Sequence, residues 1–446
     1  MLRHVLPVSA LLFGSGLLLF AGGMHGLILP VRGSLEGFSA SALGLLGTGW
    51  AIGYVAGCLL APRLVGSVGH IRTFGVMCAM AAVAVLAQAL IVETWAWIPV
   101  RAVSGFCFAG AAMIVESWLN DRAQPSTRGR IFGIYTMVNL AAVTAGQLAI
   151  SLGDVGGFVF FAIAAMVYCL ALVPTALSTS PSPAPLTSVR LDVRALWRNS
   201  PVAVAAVFLV GISNASFGTL AAVYAGDIGL ALTAIALFTS IPVLAGAFTQ
   251  IPIGIASDRM DRRKVLIAVA VVALLADLAF VLLMPEGRLL NLVLAGVFGA
   301  AIFAMYPIIV AHANDHAPER TSIQVSGGLL MIYGLGSIIG PLAAGIAMTE
   351  IGPRGLFLTT VVAHVLMIGF ALWRLSVRNA VPQAEKGAFQ VTLPARVATP
   401  ETVALAKGES EARDLDMEDV GPPSEATATA PKHSREDSAA EPSRDA

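Results

Sequence analysis

The sequence predicts an all-α membrane protein: twelve transmembrane helices in two pseudo-symmetric six-helix bundles, followed by a disordered C-terminal tail. Three observations predict it. The chain is 57% hydrophobic and only 12% charged, against roughly 45–50% and about 25% in an average soluble domain, and its mean hydropathy is +0.81. Apolar stretches of about 20 residues, enough to cross a hydrocarbon core of roughly 30 Å, recur along it. The first half of the chain is also echoed in the second at a nearly constant offset.

In order, the twelve spans lie near residues 7–30, 41–61, 72–92, 96–119, 131–152, 157–177, 201–223, 234–256, 264–284, 290–312, 323–348 and 355–376. In lipid each span must satisfy its own backbone hydrogen bonds, which selects helices; the alternating strands of about ten residues that build barrels are not seen. The first span follows Met1-Leu2-Arg3 without a small-residue cleavage site and reads as a retained helix, not a signal peptide. Cys58, Cys78, Cys107 and Cys169 all fall inside spans, without metal-ligand spacing, and read as small packing residues. No metal and no cofactor is expected.

The polar stretch 178–200 separates the sixth span from the seventh and reads as a linker between an N-terminal bundle, 1–177, and a C-terminal bundle, 201–376. The remainder, 377–446, carries 13 acidic and 8 basic residues, a net of −5, which leaves +5 on the helical part of a chain that is neutral overall. Rich in Ala, Pro, Ser and Glu and without a sustained apolar period, it reads as a disordered cytoplasmic tail. Orientation follows from Lys and Arg in the short loops. With the N-terminus in the cytoplasm, 15 basic residues of the helical part fall on the cytoplasmic side and 3 (Arg32, Arg288, Arg354) outside, with Arg101 inside a span. Both termini are therefore expected in the cytoplasm.

The internal repeat is clearest where "NDRAQPSTRGRIFG", from Asn120, matches "NDHAPERTSIQVSGG", from Asn314, an offset of 194 that continues to Gly146 and Gly340. Two parallel six-helix halves are the architecture of transporters that rock about a central site.

Between spans eight and nine, "GIASDRMDRRK" combines Gly254 with Asp258, Arg259, Arg262, Arg263 and Lys264. This loop resembles that of the major facilitator superfamily, Gly-x3-Asp-Arg-x2-Arg-Arg, with Asp261 where the family has a small residue. The equivalent loop of the first half, "GCLLAPRLVGSVGHIR", has Ala61 in the Asp slot. "RAVSGFCFAG" in span four resembles the family's Arg-x3-Gly element, so the resemblance assigns Arg101 and Gly105 to proton coupling and translocation. An arginine inside a span normally faces a partner or a wet cavity; Arg101, about five residues from the outer end, has snorkelling to the headgroups as its alternative. "GLGSIIGPLAAG" in span eleven resembles a family Gly-Pro packing motif, with Gly334, Gly340 and Pro341 as its small-residue face; span five has Gln147 in the proline slot. "ESWLN", from Glu116, followed by "RG" at the next helix resembles the YcaD-like branch of bacterial major facilitator proteins.

From this resemblance Glu116, Arg128, Arg130, Gly254, Asp258, Arg259, Arg262 and Arg263 are expected to form a cytoplasmic gate, Glu116 pairing with an arginine. Spans one, four, seven and ten line the cavity of the family, which selects His25, Asn214 and Tyr306 from the polar residues inside spans as cavity candidates; Asp277, in span nine, falls outside that set. With few fixed charges, such a cavity favours neutral or amphipathic solutes. No Gly-x4-Gly-Lys-Ser/Thr loop or catalytic-triad spacing is present, so an ATP-driven pump and an enzyme are not expected. The expected function is secondary transport of a small solute by alternating access, coupled to protons, by a monomer that binds no nucleic acid. The alternative is a non-transporting membrane sensor or scaffold whose tail binds a partner.

Overall fold

A computed structural model describes residues 9–122, 128–177, 183, 186, 192–318, 321–377, 381–382, 386–387, 389, 395 and 397–402. Residues 403–446, most of the expected tail, lie outside it. Among the described residues twelve helices are long and apolar enough to cross a membrane. The first six are α1 (Ser9–Leu35), α2 (Ala40–Val68), α3 (His70–Leu90), α4 (Thr94–Arg122), α5 (Arg128–Ala149) and α6 (Val159–Ala176). A short helix, α7 (Val193–Asn199), precedes the second six: α8 (Pro201–Asp227), α9 (Leu232–Arg259), α10 (Arg262–Leu283), α11 (Arg288–Asn314), α12 (Ser322–Ile351) and α13 (Gly355–Val377).

Local chemistry sets several starts. Ser39 caps α2 through the Ala42 N–H, Ser200 caps α8 with Pro201 in its first turn, and Asp261 caps α10 through the Arg263 N–H. Several helices run past their predicted apolar limits; α1 continues through Pro30 to Leu35 and α4 reaches Arg122. A polar last turn is tolerated because it has left the hydrocarbon.

Within the first six helices α2 packs on α4, α1 on α5 and α6, and α3 on α4 and α6. The second six repeat these pairings as α9 on α11, α8 on α12 and α13, and α10 on α11 and α13. Six aromatic rings, Phe217, Tyr224, Phe238, Phe280, Phe298 and Phe357, interlock in the second set. Large apolar side chains such as Phe13, Met137, Phe248, Leu275 and Val362 point outward, as lipid-facing positions do.

The two sets meet chiefly through α2 and α12, with further contacts of α1 and α2 with α8 and of α5 with α9. The hydrogen bonds between them cluster toward the end opposite the termini, here called the far end. Ser41 N donates to Thr349 Oγ1 (3.0 Å), Thr48 Oγ1 to the Ile338 carbonyl (2.7 Å) and Ser240 Oγ to Gln147 Oε1 (2.8 Å). Gly44 makes this contact close: a Cβ there would overlap the Pro341 carbonyl. The far end is shut by direct helix-to-helix packing. At the termini end, described residues of 386–402 lie across both sets.

Candidate functional site

From Cys107 to Leu119 every residue of α4 is buried, because the helix is surrounded on all sides. Glu116 lies in this stretch, four residues short of Asn120 and two turns from the end of the helix, and is fully buried. Its carboxylate accepts hydrogen bonds from the Tyr135 hydroxyl (2.8 Å), the Thr402 hydroxyl (2.7 Å) and the Thr399 hydroxyl. One turn along α5 from Tyr135, Asn139 Oδ1 accepts from Ser15 Oγ of α1 (2.8 Å). On α2 the Tyr54 hydroxyl donates to the Ala398 carbonyl (2.8 Å). Hydroxyl and amide groups of α1, α2 and α5 thus gather around one carboxylate of α4, and two of its three donors come from outside the twelve spanning helices.

The partners that Glu116 shows among the described residues are hydroxyls, not the expected arginines. Arg130 is exposed on α5, and the Arg128 side chain lies outside the described residues. Closeness in sequence suggested an arginine partner; packing of α5 on the bundle brings Tyr135 inward instead.

Across from this group, Asn214 of α8, Tyr306 of α11 and Tyr333 of α12 are buried. The Tyr306 and Tyr333 rings meet edge to face at 5.6 Å. Asn214 Nδ2 reaches the Ile302 carbonyl at 3.5 Å, while Asn214 Oδ1 and the Tyr306 hydroxyl have no partner among the described residues. Buried polar atoms are seldom left so, and each such group marks a place for a water or a solute.

His25, the third cavity candidate, belongs to a separate group nearer the far end. It bonds Gln88 at 2.7 Å and lies 3.5 Å from the Arg101 guanidinium. Arg101 is 7% exposed, with its guanidinium 5.9 Å from the Trp50 ring centre. It faces inward and does not snorkel. Gly105, one turn on, is where α4 and α2 touch: a Cβ would overlap the Trp50 carbonyl. Gly340 likewise lets α12 approach Ile212 of α8, Gly334 faces Val55 of α2, and Pro341 packs against Gly44 and Gly47.

Asp277 is resolved by a third cluster. His364 Nδ1 lies 2.6 Å from Asp277 Oδ2, Ser213 Oγ lies 3.1 Å from His364 Nε2, and Thr360 Oγ1 donates to Asp277 Oδ1 at 2.6 Å. The order Asp–His–Ser has the form of a hydrolytic triad, but every member is fully buried between α8, α10 and α13, with the serine inaccessible to a substrate. Its role here is to satisfy polar groups across three helices.

The remaining gate candidates gather at the termini end of the second set. Arg262, 1% exposed in its side chain, pairs with Asp315 (2.6 Å), itself 3% exposed, and with Asp258 (3.0 Å), and donates to Ser257 Oγ (3.0 Å) and to the Gly387 carbonyl. Asp258 accepts from Phe389 N (3.0 Å), Asp315 from Gly387 N (3.1 Å), and Lys386 Nζ reaches the Met260 carbonyl (2.6 Å). Gly254 leaves the space that the Phe389 ring occupies. Arg263 pairs with Asp261 (2.8 Å); burial works against the Asp261 charge, but bonds from the Arg263 guanidinium and N–H outweigh it and hold the carboxyl below the ordinary carboxylate range. Arg259 is exposed. These charges therefore tie α9, α10 and α11 to one another and to residues 386–389.

Sequence reasoning did not single out Tyr54, Tyr135, Asp315, Thr399 or Thr402. One local signal existed: "TPET" at Thr399–Thr402 is a helix start, with Thr399 Oγ1 accepting from the Glu401 and Thr402 N–H groups.

Two segments of the chain, residues 11–231 and 203–411, match the model of the Major Facilitator Superfamily. An uncharacterised MFS-type transporter of Enterobacter sp. (strain 638) is 26% identical over 366 residues, covering 79% of this chain and 91% of that protein. The uncharacterised MFS-type transporter YcaD of Shigella flexneri serotype 5b is 24% identical over 389 residues, covering 85% and 97%. Among solved structures, a mutant form of the nucleoside transporter NupG superposes with a TM-score of 0.72 at 15% identity, covering 83% of this chain and 100% of that one. A bacterial homologue of the human lysosomal transporter Spinster, inward-facing and occupied, gives 0.65 at 16%, covering 85% and 97%. The matched residues span the whole twelve-helix region, and with them the chain belongs to the Major Facilitator Superfamily, as a multi-pass transporter of its YcaD-like branch.

Proposed function

We propose that this membrane transporter is a secondary active carrier: it moves a small, neutral or amphipathic solute across the bacterial inner membrane by alternating access, coupled to protons, with both termini in the cytoplasm. The observation that carries the reading is an asymmetry between the two ends. Helices of the two bundles close directly on each other at the far end. Toward the termini end a buried carboxylate of the first bundle is covered by a chain segment outside the twelve helices, and Asn214 and Tyr306 of the second bundle bury polar atoms that have no partner among the described residues. A carrier caught facing the cytoplasm has this arrangement; a rigid scaffold has no use for buried polar groups left unsatisfied, each of which costs free energy.

In this reading Asn214, Tyr306 and Glu116 contact the solute. Arg101 and His25, with Gly105 holding α4 against α2, couple its movement to protons. Asp258, Arg259, Arg262 and Arg263 with Gly254 act at the cytoplasmic gate, together with Arg128 and Arg130. The carrier acts as a monomer. A panel of neutral amphipathic solutes and nucleosides, the latter prompted by the name of the fold neighbour NupG, tests it in proteoliposomes with and without a pH gradient. Accumulation of at least one solute that collapses when the gradient is dissipated is the expected result. Fluxes equal to those of empty liposomes for the whole panel would leave the scaffold reading in its place.

A further inference from the structure

The two carboxylates expected to guard the cytoplasmic side, Glu116 in the first half and Asp258 in the second, are both hydrogen-bonded to the same short stretch of chain. Asp258 and Asp315 take the Phe389 and Gly387 backbone N–H groups, Lys386 and Phe389 fasten the stretch to the end of α9, and the Gly387 carbonyl accepts from Arg262 of α10. About ten residues on, Ala395, Ala398, Thr399, Glu401 and Thr402 are each 4% exposed or less. Thr399 and Thr402 present two hydroxyls to the one Glu116 carboxylate, one on each oxygen. The Ala398 carbonyl takes the Tyr54 hydroxyl, and Val397 and Ala398 pack on the apolar core beside them.

Remove this stretch and a defined receptor is left. A fixed carboxylate, already held by Tyr135, would have both oxygens open to further donors. The Tyr54 hydroxyl would be free to donate, and its ring stacks on Trp50 at 4.9 Å, with Phe108 beside them. A buried carboxylate with two empty acceptor positions is costly unless hydroxyls or waters fill them. Its complement is a molecule with two neighbouring hydroxyls at one end and a small apolar body that lies on the rings. We propose that Glu116, Tyr135 and Tyr54 form the recognition site for a neutral amphipathic diol, and that Thr399 and Thr402 occupy it as a tethered stand-in which plugs this cytoplasm-facing site until it is displaced. This rests on the transporter reading above and adds to it a solute class and a built-in competitor.

The tether fixes the scale of the competition. Only eight residues lie between the end of α13 at Val377 and Lys386, and a short tether holds its ligand at a local concentration in the mM range. The tether weakens the apparent affinity of a free diol by one plus the ratio of that local concentration to the stand-in's own dissociation constant, so a stand-in of about 0.1 mM intrinsic affinity held at about 1 mM sets a factor of about tenfold.

The test uses the purified full-length protein, the same protein ending at Glu385, and a full-length Thr399→Val/Thr402→Val variant, which keeps the side-chain shape but loses both hydroxyls. Hydrogen exchange reads the stand-in directly: amides of 397–402 should exchange at least about tenfold more slowly in the wild type than in the double valine variant. Calorimetric titration with cis-1,2-cyclohexanediol, with cyclohexanol as control, reads the site. The diol should bind the shortened and double valine proteins about tenfold more tightly than the wild type, and cyclohexanol should show no such gain. Rapid exchange of 397–402 in the wild type, or equal binding of diol and cyclohexanol to the valine variant, would overturn the proposal. The valine variant carries the test if the shortened protein fails to fold. Uptake of the diol into proteoliposomes separates the two readings: a diol that binds as expected but is not carried refutes transport while the recognition site stands.

Discussion

Arg262 is the most heavily bonded side chain at the termini end, and replacing it should produce a loss far beyond that of an ordinary loop charge. Its guanidinium holds two carboxylates with different surroundings. Asp258 is 40% exposed in its side chain, so its pair with Arg262 is mostly paid for by water and contributes about 0–1 kcal/mol. Asp315 is 3% exposed; with Arg262→Ala it keeps the Gly387 N–H but becomes a buried, unpaired charge, a change that costs about 3–5 kcal/mol. The single variant should therefore lose roughly that much stability in equilibrium unfolding, followed by far-UV circular dichroism in mixed detergent micelles. Arg262→Ala/Asp315→Ala removes both charges and should recover most of the loss, giving a coupling energy of about 2–3 kcal/mol in the double-mutant cycle. Arg262→Lys should recover less, since an ammonium lacks the fork that reaches Asp315, Asp258 and Ser257 at once. Additivity of the two alanine variants to within about 0.5 kcal/mol would refute the reasoning, because independent sites have no orphaned charge to explain the cost.

Other outcomes follow from neighbouring features. Arg101→Ala should insert and fold, since it removes an intramembrane charge, yet slow transport by about tenfold or more, equivalent to about 1.4 kcal/mol of barrier, with Arg101→Lys intermediate; a wild-type rate with unchanged pH dependence in the proteoliposome assay would leave Arg101 a packing residue. Gly105→Val must push α4 off the Trp50 carbonyl and should destabilise by about 1–3 kcal/mol, read as an earlier loss of monodisperse protein on heating. Asp261 has a depressed carboxyl pKa in the folded chain, so its contribution is present above the ordinary carboxylate range near pH 4 and is lost as pH falls through the depressed value; the stability gap between wild type and Asp261→Asn should be full at pH 7 and close on acidification.

The helices were legible because lipid imposes a length and a polarity that soluble folds lack, and the residues between Asn120 and Gly146 match those from Asn314 to Gly340 closely enough to reveal the two halves. Arg101 was legible as an intramembrane charge. Whether it faced inward depended on Trp50, Gln88 and His25, which come from three other helices. Glu116 was legible as an oddity of α4, but its partners were not: Tyr135 sits on the next helix and Thr399 and Thr402 nearly 300 positions away. Asp277 had no visible partner in sequence because His364, Thr360 and Ser213 are joined to it only by helix packing. Composition describes a segment's average, and the acidic average of 377–446 conceals the short apolar run around Val397 and Ala398 that packs on the core.

Alternating access is tested most directly by distances measured at both ends of one molecule. One pair of spin labels on Ser41 and Glu350 reports the far end, and a second pair, on Asp121 and His316, reports the termini end, each in the full-length protein reconstituted in nanodiscs. Two-state exchange about a central site predicts a second population that is longer at the far end and shorter at the termini end, with both changing in proportion as pH or Thr399→Val/Thr402→Val shifts the balance. A single, unchanged distance at each end under all of these conditions would contradict the account.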